Sequence, residues 1–195
     1  MTKPISKDDT ADPRFTWTVT RYEHAIETGV FTEDDKIELL YGEIIKSMSA
    51  GPDHEYCVTI IADFLRGILG NKYHIREEKS LLLEEEQSLP EPDITVIAKK
   101  DYSNQRPRTE DLHLIVEVSN SSLNRDRTIK AELYAEAGLA EYWIVNLINR
   151  QIEVHLHPDS AQRIFGSVNI YKEGNTFESP FAGEVVVKEL LPTVS

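Results

Sequence analysis

The amino-acid sequence predicts a mixed α/β domain built around one sheet. Three observations carry that expectation. Two stretches, Pro92-Asp93-Ile94-Thr95-Val96-Ile97-Ala98 and Leu112-His113-Leu114-Ile115-Val116-Glu117-Val118-Ser119, are short and nearly continuously apolar. Strands covered on both faces have that composition. Before the first stretch and after the second, apolar residues recur at helical spacing. From Gln151 on, the pattern returns to alternation with period two. Helices interleaved with strands, followed by an antiparallel patch, suit a sheet with helices packed against it.

Taken in order, residues 1–15 are polar and read as a flexible N-terminal segment, and residues 16–195 as one domain. Thr16 or Thr18 can cap a short helix through Ala25 and Ile26 that ends at Gly29. The run Ile37-Glu38-Leu39-Leu40-Tyr41-Gly42-Glu43-Ile44-Ile45 places two apolar segments around Tyr-Gly, the pattern of a tight hairpin. Ser49-Ala50-Gly51-Pro52-Asp53 opens a long helix whose core stripe is Val58, Ile61, Ala62, Leu65, Ile68 and Leu69, up to Gly70. One or two strands are expected between residues 73 and 88, including Leu81-Leu82-Leu83. A strand from Asp93 to Ala98, a polar loop to Asp111 and a central strand from Leu112 to Val118 follow. Ser121-Ser122 precede a helix from Leu123 to Ala137, stopped by Gly138. Tyr142-Trp143-Ile144-Val145 reads as a further strand, and Ile152 to Leu156 begins the terminal antiparallel patch.

The chain has 195 residues, of which 40% are hydrophobic and 28% charged, ordinary for a globular protein. No apolar run approaches the ~18 residues of a membrane span. Met1 to Asp9 lacks the apolar core of a signal peptide. A lone cysteine, Cys57, precludes an internal disulfide and fits a reducing cytoplasm. The net charge of −13 argues against coating nucleic acid by bulk electrostatics. It leaves room for a local phosphate-binding rim, for which Arg125, Arg127, Arg106 and Arg108 are the candidates.

Glu117 is the anomaly in this pattern. An ionised carboxylate inside a buried strand costs several kcal/mol, on the order set by desolvation, unless a partner offsets it. Asp93 opens a second such strand. Two acids on neighbouring strands can converge on one divalent cation. With a main-chain carbonyl such as that of Val118 they form a hard oxygen site suited to Mg²⁺ or Mn²⁺. Lys130 falls on the inward stripe of the following helix with Leu133, Tyr134 and Ala137, from where an ammonium can reach the acids. Bland readings stay open beside these. Asp93 could serve its strand start, Glu117 could belong to a structural ion pair, and Lys130 could pair with Asp126.

Several segments together carry a resemblance. They are Ile37 to Ile44, Gly51-Pro52-Asp53-His54, Pro92-Asp93, Ile115 to Ser119, Arg125-Asp126-Arg127, Lys130, Tyr134 to Gly138, and Glu141 to Val145. In this order and spacing the chain resembles the PD-(D/E)XK nuclease superfamily, and more closely its Uma-type restriction endonuclease branch. The resemblance implies a restriction endonuclease-like core: a central mixed β-sheet flanked by helices, here with an extra N-terminal hairpin and C-terminal antiparallel strands. It implies a Mg²⁺- or Mn²⁺-dependent endonuclease acting on DNA as a homodimer, with Asp93 and Glu117 as the motif acids. Ser119 stands where that motif has a lysine, and the resemblance hands the role to Lys130. It also sets His54 near the site. The same departure at Ser119 motivates an alternative, a catalytically inactive nuclease-fold module that binds nucleic acid or a protein partner.

Overall fold

The computed structural model describes residues 15–47 and 51–193. The expectations for the first fourteen residues and for Ser49-Ala50 lie outside the described residues. Helix α1 (Val19–Glu27) starts at Thr18, whose Oγ1 accepts the Arg21 N–H at 3.3 Å. It turns Val19, Tyr22 and Ala25 inward and stops before Gly29. Strands β1 (Ile37–Leu40) and β2 (Glu43–Lys46) form the expected hairpin. Its two-residue turn needs two left-handed positions, met by Tyr41 at φ 51° and Gly42 at φ 73°. A Cβ on Gly42 would come within 2.8 Å of the Trp17 carbonyl oxygen, so only glycine fits.

Helix α2 (Pro52–Leu69) follows, with Pro52 at its first position and Gly70 beyond its end. A six-stranded sheet then carries β3 (Tyr73–Glu77), β4 (Ile94–Ala98), β5 (Leu112–Ser119), β6 (Glu141–Asn146), β7 (Gln151–Asp159) and β8 (Ile164–Lys172), in that spatial order. All its pairs are antiparallel except β5 with β6. The parallel pair needs a crossover. It is made by α3 (Leu123–Arg125), a π-helical turn (Asp126–Lys130) and α4 (Ala131–Glu136). The sequence predicts one regular helix here, and the π turn is the departure from it.

Each face of the sheet buries its own cluster. Ile94, Val96, Leu114, Val116, Val118, Trp143 and Val145 pack against α2 and the C-terminal segments. Ile115, Tyr142 and Ile144 pack against Leu133, Tyr134 and Ala137, with Leu40, Leu81 and Leu83 joining from the hairpin side. The period-two alternation of β5 thus sends Glu117 toward the α3–α4 crossover. The C-terminal patch divides in two. Strands β7 and β8 extend the central sheet, while β9 (Thr176–Ser179) and β10 (Gly183–Val186) form a separate hairpin. Strand β8 is an edge of the sheet, and its Ile164, Val168 and Ile170 are about half exposed.

Leu81-Leu82-Leu83 is not a strand. The Leu81 and Leu83 N–H groups donate to the Pro90 and Ser88 carbonyls and that of Leu82 to Pro107, so the run is shared between two segments and pairing stops at isolated bridges. The apolar run reflects burial under the hairpin rather than sheet pairing. Strand β4 begins at Ile94, which leaves Asp93 just outside it.

Candidate active site

Strands β4 and β5 pair with Ile94 opposite Val116. That pair ends the ladder, and Asp93 and Glu117 are the next residue of each segment beyond it. Glu117 belongs to the α3–α4 side, while Asp93 lies outside the ladder. Asp93 Oδ2 accepts the Val118 N–H at 2.6 Å and lies 3.1 Å from His54 Nε2. His54 comes from the first turn of α2. Burial of its imidazole opposes protonation, but the hydrogen bond and charge of Asp93 prevail and raise its pKa.

Glu117 is 3% exposed. Its Oε1 accepts from Lys130 Nζ at 2.8 Å and from the Tyr134 hydroxyl at 2.9 Å. Burial pushes its carboxyl up, against the pull of Lys130, with Asp93, Asp126 and Glu38 adding to the rise. Lys130 is equally buried. Burial alone would lower its pKa, yet Glu117 and Glu38 outweigh that and hold the ammonium charged. Glu38 reaches in from β1, with Oε2 3.3 Å from Lys130 Nζ. The phenol of Tyr134 is raised well above its ordinary pKa by burial and by Glu117, so it donates as a neutral hydroxyl.

Beside this core, Ser119 donates from Oγ to Asp126 Oδ2 at 2.8 Å. Burial raises the Asp126 carboxyl, against Lys130 and the two serine hydrogen bonds from Ser122 and Ser119. Asp126 and Lys130, four residues apart at the two ends of the π turn, are both buried on its inward face, and such turns recur at functional sites.

The arginines expected at a rim all have partners within the chain. Arg127 clasps Glu153 with two bonds of 2.8 and 2.6 Å. Arg125 Nη1 donates to the Lys46 carbonyl at 2.9 Å. Arg106 pairs with Glu23, and Arg108 with Glu84.

The donor set can be tested for a cation. Among the described residues no three His, Cys, Asp or Glu side chains are gathered to hold a metal. Two carboxylates are present, and each has one oxygen committed, Asp93 Oδ2 and Glu117 Oε1. The other oxygens, Asp93 Oδ1 and Glu117 Oε2, make no hydrogen bond among the described residues. Two acids completed by a main-chain carbonyl and water fit Mg²⁺ or Mn²⁺, ions that keep much of their hydration.

A family model described as "Putative restriction endonuclease", Uma2, matches residues 19–184. The chain belongs to this family. The crystal structure of a putative nuclease belonging to DUF820 from Anabaena variabilis ATCC 29413 superposes with a TM-score of 0.68 at 13% identity. The match covers 89% of this chain and 96% of that one, and it shows a common fold. No curated protein matches the chain. Membership of this family is what supports a nuclease function for the chain. Among the described residues no helix is long and apolar enough to cross a membrane.

Of the residues singled out in the sequence, Asp93, Val118 and His54 meet through hydrogen bonds, and Glu117 meets Lys130. Tyr134 and Asp126 are additions. Tyr134 was legible only as a member of the Lys130 stripe, and its hydroxyl was the unused signal. Glu38 is a further addition, since nothing in the sequence of β1 announces that its side chain is buried at 1% exposure.

Proposed function

We propose that this chain is a divalent-metal-dependent endonuclease that hydrolyses phosphodiester bonds in DNA. The observation that carries the reading is the meeting of the two acids at the end of the β4–β5 ladder, where Asp93 Oδ2 accepts the N–H of Val118, the residue after Glu117, and each acid keeps a carboxylate oxygen with no hydrogen bond among the described residues. Asp93, Glu117 and the Val118 carbonyl would hold Mg²⁺ or Mn²⁺. Such an ion, when bound, supplies an acidified water and offsets phosphate charge.

The chain's own groups divide the remaining work. Lys130 is a buried ammonium between two carboxylates, so it serves as a fixed positive charge for the developing charge on phosphate and not as a proton acceptor. Tyr134 and Lys130 together fix Glu117 through Oε1. His54 orients Asp93 from the N-terminal turn of an 18-residue helix, an end that favours a phosphate. Arg125 and Arg127 are the substrate contacts of this reading, with Arg127 sharing its guanidinium between Glu153 and phosphate. A dimer, with one copy for each DNA strand, would have the free edge of β8 available for pairing.

Incubation of the purified protein with plasmid DNA and Mg²⁺ or Mn²⁺ tests the proposal. Nicked and linear products are expected, and none from Asp93→Ala or Glu117→Ala. An intact protein that leaves the plasmid untouched, or an Asp93→Ala variant that cuts as well, overturns it. A second reading is a non-catalytic nuclease-fold module that binds nucleic acid or a protein partner. Ser119 at the motif-lysine position and the net charge of −13 favour it. Calorimetric titration with Mn²⁺ separates the two, since the module needs no site that Glu117→Ala abolishes.

A further inference from the structure

We propose that Glu38 is a positioning residue that sets the separation of Asp93 and Glu117, and through it the affinity for the divalent cation. The inference rests on the function proposed above. Glu38 stands on β1, in a hairpin that is not part of the six-stranded sheet, yet its side chain ends in the middle of the site. One oxygen makes both connections. Oε2 lies 3.3 Å from Lys130 Nζ, and that ammonium holds Glu117 Oε1 at 2.8 Å. The same Oε2 accepts the Glu91 N–H at 3.3 Å, two residues before Asp93. A single carboxylate oxygen therefore joins the segment that delivers one acid to the lysine that holds the other.

The hairpin is clamped in a way that gives this link leverage. The Leu89 N–H donates to the Leu39 carbonyl at 2.8 Å, the Tyr41 N–H to Ser88 Oγ at 2.7 Å, and the Gly42 N–H to the Gln87 carbonyl at 3.0 Å. Residues 87–91 are thus tied to the hairpin, and Glu38 projects from it toward Lys130. Its second oxygen, Oε1, is buried without a hydrogen-bond partner among the described residues, 3.9 Å from Arg125 Nε. A carboxylate left with one oxygen unsatisfied is a costly way to fill space. It is explained by what the other oxygen holds in register. Groups that orient metal-binding carboxylates from behind typically control affinity as strongly as this reading requires.

The test is calorimetric titration of the whole chain with Mn²⁺. Wild type should bind one ion per chain at a site that Glu117→Ala removes. Glu38→Asp keeps the charge but draws the oxygen back from Lys130 and Glu91. Glu38→Gln keeps the shape but cannot offset the ammonium. Each should weaken Mn²⁺ binding about 10- to 100-fold while the thermal transition remains cooperative. Glu178→Gln, an exposed acid on β9, removes the same charge and should leave the affinity unchanged. Either Glu38 variant that folds decides the matter. Wild-type affinity in Glu38→Asp overturns the positioning role while the Glu117-dependent site, and with it the proposed function, stands. Absence of any Mn²⁺ site in the wild-type chain overturns both.

Discussion

Lys130 Nζ and Glu117 Oε1 meet at 2.8 Å in the interior, with Glu38 Oε2 3.3 Å from the same ammonium. Removing the cation strands two buried carboxylates. Lys130→Met should therefore destabilise the fold by about 3–5 kcal/mol, read from urea unfolding. Adding Glu117→Gln should recover part of that loss, because one stranded charge is gone and the two sites are coupled. Strict additivity of the two substitutions would mean that the pair does not interact as drawn. DNA cleavage should be lost in both variants.

Ser119 occupies the motif-lysine position but spends its hydroxyl on Asp126, at 2.8 Å. Ser119→Ala should cost about 1–3 kcal/mol by leaving a buried carboxylate oxygen short of a donor. It should change the cleavage rate by no more than a few-fold. A large loss of rate with stability intact would place Ser119 itself in the chemistry.

Tyr134 gives its O–H to the Glu117 oxygen that also takes Lys130. Tyr134→Phe keeps the ring packed against Tyr142 and deletes one charge-assisted bond. A loss of about 1.5–3 kcal/mol is expected in denaturant unfolding. Metal titration of this variant should show weaker Mn²⁺ binding, since Glu117 is held by one donor rather than two. Unchanged stability and unchanged affinity would assign the hydroxyl no part in holding the acid.

His155 gives a pH prediction away from the acids. It lies on β7 in contact with the rings of Tyr142 and Phe165, and burial lowers its pKa to about 4, with Glu153 opposing and Arg127 adding to the fall. Between an unfolded value of about 6.5 and the folded value, only the unfolded chain takes the proton. The contribution is thus complete above pH ~6.5 and lost as pH falls through about 4, worth on the order of 3 kcal/mol. Stability of wild type and His155→Phe compared from pH 7 to 4 should converge toward the acid end. Parallel curves would remove His155 from the titration.

Much of this was legible in the chain, for reasons that differ by element. The Tyr41-Gly42 hairpin is local, since turn geometry demands its residues. Asp93 and Glu117 stood out because charge is rare within runs of buried strand residues. What failed to show depended on contacts distant in sequence. Leu81-Leu82-Leu83 has the composition of a strand, but each main-chain N–H finds a different acceptor. Glu38 looks like the outward residue of a small hairpin until Lys130 and Glu91 are brought to it from far along the chain. The turn from Asp126 to Lys130 keeps an amphipathic pattern that a regular helix would satisfy equally well.

That turn has a consequence for how sequences of this kind can vary. One residue of an α-helix corresponds to roughly 100° of rotation about its axis. A π turn takes up about one residue more than an α turn, so deleting a single residue between Asp126 and Lys130 would let the crossover wind as a uniform helix with its two ends near their present phase. A deletion in the regular turns of α4 has no such slack and would swing everything before it by about that angle. The segment is a reserve of length: it can give up one residue where the turns after it can give up none.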